Sequence, residues 1–260
     1  MLVTALVVAA FFGPALRSAE AQGFSRTEFQ YQGGTAFGDT VVSPPGFQHV
    51  FTLQHASAGS RGENFFFVDM VCCSDPVSNR DMYLEWYSAL KLAAVTGGEF
   101  SWGPVVDVGL LGGINWGAQT HTSRLTPGLR FSLDLPGFAF ANLDAIWLVD
   151  VGRGLDDGGP PRDGGILGLD FNWARPFSIG DADFSVEGHG EWQSPHTDEA
   201  GMSRPYTVLL QPQLRHDLGK AAADAPGRVL VGVELQLWLN KFGVEEAHEF
   251  LPQLLVVFGF

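Results

Sequence analysis

Phe65, Phe67 and Asp69 stand two residues apart in the run Gly62-Glu63-Asn64-Phe65-Phe66-Phe67-Val68-Asp69-Met70. On a β-strand that spacing places all three on one face, because successive side chains point to opposite sides. Glu85 and Tyr87 repeat the pattern in the next segment, and Arg130 phases to the same side further along. Aromatic rings beside carboxylates and a guanidinium suit recognition rather than bond-making: rings stack on a flat solute, and carboxylates accept hydrogen bonds from its hydroxyls. One stacking contact is worth on the order of 1–3 kcal/mol. Several such weak sites in series let a solute enter a passage and still leave it.

Other chemistries find less support in the residues. Ser185 and His189 share a strand face, but residues four apart along a strand are about 13 Å apart, too far for a nucleophile and its base. His49, His55, His121, His189, His196, His216 and His248 show no metal-ligand spacing. No glycine-rich loop joins a strand to a helix as a phosphate cradle would require. Lys and Arg total only 15 against 29 Asp and Glu, for a net charge of -14, which argues against nucleic acid. The expectation is a protein without catalytic residues, metal or cofactor. Cys72 and Cys73 are the two cysteines, and as neighbours they either form a ring disulfide or stay as an unpaired couple.

The elements that must position these residues are strands. Residues 1–21 carry an apolar run from Leu2 to Phe12, a break at Pro14 and Ala19-Glu20-Ala21 as a small-x-small cleavage site, so they read as a secretory signal. After Gln22 no apolar run is long enough for a spanning helix. Alternating segments recur instead between turns rich in Gly, Pro, Asp and Ser: 24–33, 47–57, 62–71, 82–95, 102–116, 124–134, 138–151, 164–174, 182–193, 205–217, 228–241 and 249–260. In the eleventh, Val229, Val231, Val233, Leu235, Leu237 and Leu239 oppose Arg228, Glu234, Gln236 and Asn240. The last has Phe250, Pro252, Leu254, Val256, Phe258 and Phe260 on one face, which must meet a packed core or lipid.

Charged residues are 17% of the chain, below the roughly 25% usual for soluble domains, so much of the surface faces something other than water. Only helices and closed barrels satisfy their backbone in lipid, which leaves the barrel. The pattern predicts an all-β fold: a transmembrane antiparallel β-barrel of about twelve strands over residues 22–260. Long connections on the side away from the termini (Gly34 to Gly46, Cys72 to Asp81, Gly152 to Asp163, Ser194 to Arg204) and mostly short ones on the other fit bacterial outer-membrane barrels. Trp102, Trp116, Trp173, Trp192 and Phe260 fall near strand ends, where aromatic girdles form.

The run from Gly62 to Met70, followed by Tyr83-Leu84-Glu85-Trp86, resembles the Tsx-like nucleoside-specific channel family of the outer membrane. Further stretches match in order: Thr52-Leu53-Gln54-His55-Ala56-Ser57, Pro127-Gly128-Leu129-Arg130-Phe131 with Leu135-Pro136-Gly137-Phe138, and Asn240-Lys241-Phe242-Gly243-Val244 leading to Pro252-Gln253 and a terminal Phe. Cys72-Cys73 and the short loop after them depart from the family pattern. The resemblance implies a narrow lumen that passes nucleosides, with Phe65, Phe67, Asp69, Glu85, Tyr87 and Arg130 as candidate contacts. Expected partners are nucleosides or similar small solutes, outer-membrane lipids, and the barrel-assembly machinery through the strand ending at Phe260, with no nucleic acid. The alternative is a non-conducting structural or adhesive barrel whose extracellular loops act, its inward charges pairing merely to fill the lumen.

Overall fold

The computed structural model describes residues 23–38, 46–72, 81–119 and 121–260; the expected leader and Cys73 lie outside them. Twelve strands form one antiparallel sheet: β1 (Phe24–Thr35), β2 (Phe47–Ala58), β3 (Gly62–Cys72), β4 (Asp81–Lys91), β5 (Val105–Gly117), β6 (Ser123–Leu125 and Gly128–Leu133), β7 (Phe140–Asp150), β8 (Ile166–Ile179), β9 (Ala182–Gln193), β10 (Thr207–Asp217), β11 (Val229–Leu239) and β12 (Glu249–Gly259). Each pairs with its sequence neighbours. β12 then pairs with β1, from Glu28 opposite Gly259 to Gly34 opposite Gln253, so the sheet closes into a barrel.

Closure follows from the strand edges. An open edge would leave a row of N–H and C=O groups without partners, and the closing pair removes both edges at once. The chain breaks the ladder locally at Thr126-Pro127, because Pro127 has no N–H to donate. Thr126 still donates its backbone N–H to the Gly113 carbonyl at 3.0 Å, and the Pro127 carbonyl accepts from Trp147 at 2.8 Å, so the two halves of β6 stay in place.

Expected and observed strands agree to within a few residues, with two clear differences: the strand expected to end at 174 continues to Ile179, and the one expected over 82–95 ends early. The segment expected over 82–95 stops as a strand at Lys91; Leu92–Thr96 forms a short helix, α1, closed by Gly97 in the left-handed region with φ 68°. On the β3 side pairing ends at Gly62 opposite Leu90, so this stretch has lost one of its two neighbours, and a helical turn satisfies its backbone internally. A second short helix, α2 (Leu218–Ala223), follows β10, with Asp217 accepting from the Lys220 N–H at 2.8 Å. Both helices lie at the end of the barrel that carries Phe24 and Phe260, the near end. The tightest connection there is Gly180-Asp181 between β8 and β9, where Gly180 takes φ 59°.

At the far end, the β7–β8 and β9–β10 loops are clasped together. Arg162 donates to Glu199 at 2.8 Å, and the same carboxylate accepts the backbone N–H groups of Leu155 (2.9 Å) and Arg162 (3.1 Å). Asp198 accepts from the Ala200 and Met202 amides at 3.0 and 2.9 Å and from Arg204. Asp163 in turn reaches Arg124 on β6 and His196, which ties the loops to the barrel wall.

These donors hold the Glu199 carboxyl at about 2, below its ordinary 4.5. A depressed carboxylate stabilises the fold fully above its unfolded value, and the contribution is lost as pH falls through the folded one. The clasp should therefore be complete above about pH 4.5 and open only toward pH 2. Glu199→Gln should raise amide hydrogen exchange across residues 153–163 at pH 7 while the strands stay protected; equal exchange in both proteins would refute the clasp.

Candidate functional site

Register fixes which side chains face the lumen. Glu28, Gln30 and Gln32 on β1, Thr52 on β2, Glu85 on β4, Arg130 on β6, Asp144 on β7, Arg215 on β10 and Glu234 on β11 all point in and are buried. Leu110, Leu129, Trp147, Leu169, Val233 and Leu254 point out and are exposed. All six residues singled out from sequence face inward. Five of them form one patch on β3 and β4: Phe65 stands opposite Tyr87, Phe67 opposite Glu85, and Asp69 opposite Tyr83.

Within the patch, ring centroids of Phe65 and Phe67 are 6.0 Å apart and those of Phe67 and Tyr83 are 6.1 Å apart. The Tyr83 hydroxyl donates to Glu85 at 2.6 Å, Asn115 donates to Glu85 at 2.8 Å, and Tyr87 donates to Asn115 at 3.0 Å. Thr52 donates to Asp69 at 2.5 Å. Each carboxylate is thus oriented by a neighbour and retains acceptor capacity toward the lumen. Phe65, Phe67, Asp69, Tyr83 and Tyr87 are half-buried rather than sealed. Asp170 on β8 and His189 and Glu191 on β9 take the same inward phase on the wall formed by those strands.

Arg130 plays a different part. It forks onto Asp144, with Nε at 2.8 Å and Nη2 at 2.6 Å, and its Nη1 crosses two intervening strands to Glu63 on β3 at 3.1 Å. A second chord runs from Arg215 on β10 to Glu28 on β1 at 3.1 Å, with Glu187 on β9 also 3.1 Å from the same Nη1. From Arg130 a hydrogen-bonded band continues around the wall through Asp144, Asn172, Asp170, His189, Gln211, Gln236 and Glu249 to Lys241. It crosses seven consecutive strands, β6 to β12. Ser185 is bonded to Glu187 at 2.6 Å, and both His189 ring nitrogens are engaged by Asp170 and Gln211.

Tyr83, Asn115 and Thr52 were missed in the sequence as members of the patch. Their signal is parity: Tyr83 shares the phase of Glu85, and Asn115 and Thr52 stand opposite Glu85 and next to Asp69 across the ladder. The lumen is also less polar than its charges suggest. Ala89, Leu111, Ile146, Leu148 and Ile166 form a buried inward cluster against Tyr87, and Leu230, Leu255 and Val257 form another. The run Ala145-Ile146-Trp147-Leu148-Val149 is apolar at both phases, the mark of a strand covered on both faces. Cys72 is disulfide-bonded at the end of β3.

Outer membrane protein OmpK of Vibrio parahaemolyticus is 22% identical to this chain over 222 residues, 82% of the chain and 78% of that protein. Among solved structures, the NanC porin matches with a TM-score of 0.53 at 11% identity, over 88% of this chain and 98% of that one. The chain is a barrel of the bacterial outer membrane. No family model matches it. In such barrels the end that carries the termini and the shorter turns faces the periplasm, so the clasped loops face outward from the cell.

Removing Arg130 would leave Asp144 as a buried carboxylate without a cation, and Glu63, half-buried, with only Lys91 at 4.0 Å. Arg130→Ala should cost about 3 kcal/mol or more in reversible urea unfolding in lipid vesicles. A cost within the roughly 0.5 kcal/mol typical of surface substitutions would show that water already screens the pair.

Proposed function

We propose that the barrel is a passive diffusion channel for small solutes, selective for nucleosides. The observation that carries this reading is the inward grid of Phe65, Phe67, Tyr83 and Tyr87 with Asp69 and Glu85, facing the polar groups of β8 and β9 across the lumen. A nucleoside base offers a flat face for the rings, and its ribose offers hydroxyls to the carboxylates. The band from Arg130 to Lys241 holds the opposite wall in fixed geometry, so the solute meets ordered dipoles rather than mobile ones. No part of this needs a nucleophile or a cofactor, and we assign none. The sequence resemblance noted above, and the porin whose fold this barrel shares, support the reading.

A non-conducting barrel that works through its outer loops is the second reading. The two chords and the two aliphatic clusters favour it, since they fill part of the lumen.

Single-channel conductance of the refolded protein separates them. A small conductance blocked by nucleosides but not by sugars of similar size is the expected result. Phe67→Ala should then weaken the block about tenfold, the loss of one stacking contact, and leave the open conductance in place. An open pore indifferent to nucleosides would remove the solute assignment, and absence of any current would favour the loop reading.

A further inference from the structure

Arg175 breaks the rule that the rest of the barrel obeys. Every other Asp, Glu, Lys and Arg within the described strands takes the inward phase; Arg175 on β8 takes the outward one, opposite Val186 of β9 and flanked on its own face by Trp173 and Phe177. The other strand arginines, Arg26, Arg124, Arg130 and Arg215, each have a carboxylate partner, whereas Arg175 has none among the described residues. Its guanidinium instead lies 5.8 Å from the ring centroid of Phe138, in the β6–β7 turn.

The level of this residue matters. β7 begins at Phe140 opposite Ala174, so Arg175 is the first residue of β8 beyond the β7 rim, at the periplasmic edge of the wall. A cavity of about 460 Å³ opens there on the outside of the barrel, lined by Phe138, Trp173, Arg175, Phe177 and Val186. Four apolar walls and one unpaired guanidinium make a site with two halves. The apolar half matches glycerol and the first methylenes of an acyl chain. The guanidinium is a planar fork of donors that matches phosphate oxygens two at a time. A full charge facing hydrocarbon is costly at mid-bilayer and tolerable at the interface, which is where phospholipid phosphates lie.

We propose that the outward cavity at Arg175 binds one glycerophospholipid of the periplasmic leaflet, its phosphate on the guanidinium and its glycerol end among Phe138, Trp173 and Phe177. The proposal rests on the barrel and its orientation and is independent of what passes through the lumen.

Native mass spectrometry of the delipidated barrel in detergent, titrated with phosphatidylglycerol and with diacylglycerol of the same chains, tests it. The wild type should take up one phosphatidylglycerol and no diacylglycerol, since the site reads phosphate. Arg175→Gln should weaken that uptake at least about tenfold, as for a lost charge-assisted pair, and Arg175→Lys by less. Arg153→Gln, in an outer loop, should change nothing. Folding of each variant is checked by its heat-dependent electrophoretic mobility; if Arg175→Gln fails to fold, Phe138→Ala carries the test, with several-fold weaker uptake expected. Equal lipid uptake by wild type and Arg175→Gln, or equal uptake of diacylglycerol, overturns the proposal. Displacement of the lipid by millimolar inorganic phosphate would mean that the occupant is a free anion, and it too overturns the lipid assignment.

Discussion

The pairing of β12 with β1 is the constraint from which the rest of the molecule follows. In hydrocarbon an unpaired N–H or C=O has nowhere to turn, and each costs several kcal/mol. Once the sheet is a closed ring, every strand has two neighbours, and inside and outside become fixed properties of residue parity. A slip of one residue in any pair would send a whole row of charges into lipid. The aliphatic rows on β11 and β12 hold the closing strands in that register.

Parity then decides what the interior can be. With nearly all strand charges turned inward, some of them have to be compensated inside the lumen, and cross-lumen pairs such as Arg130 with Glu63 and Arg215 with Glu28 do so. Those pairs occupy the periplasmic half, while the aromatic grid of β3 and β4 stays half-accessible above them. The proposed contacts and the ion-pair filling therefore fall on different residues of the same lumen. Arg130 is held in ion pairs with Asp144 and Glu63, whereas Phe65, Phe67 and Asp69 have no ion-pair partner among the described residues.

Most of this was legible from two-residue periodicity. The strand count, the inward phase of Glu85, Arg130 and Glu234, and the lipid-facing row ending at Phe258 all follow from alternation, which survives without any tertiary information. What alternation cannot give is which inward residues meet across the ring. Glu63 and Arg130 lie far apart in sequence, and only closure at a given strand number brings them together. The ends of strands were also poorly marked: Leu92 to Val95 continue an apolar pattern, yet with no partner beyond Gly62 on the β3 side they coil into a helix. Arg175 was hidden for a related reason, since the strand expected to end at 174 runs on to Ile179 in a hairpin that passes the rim.

That hairpin also bears on how the barrel is made. The entropy of closing a loop grows with its length, and Gly180-Asp181 is a two-residue closure in the geometry that matches strand twist. β8 and β9 can therefore pair early and locally. The contact between Glu28 and Gly259 spans almost the whole described chain and comes last. Until then the nascent sheet carries two bare edges, on β1 and β12, and the outward row of β12 from Phe250 to Phe258 gives that open form an apolar face that lipid can cover before the ring is shut.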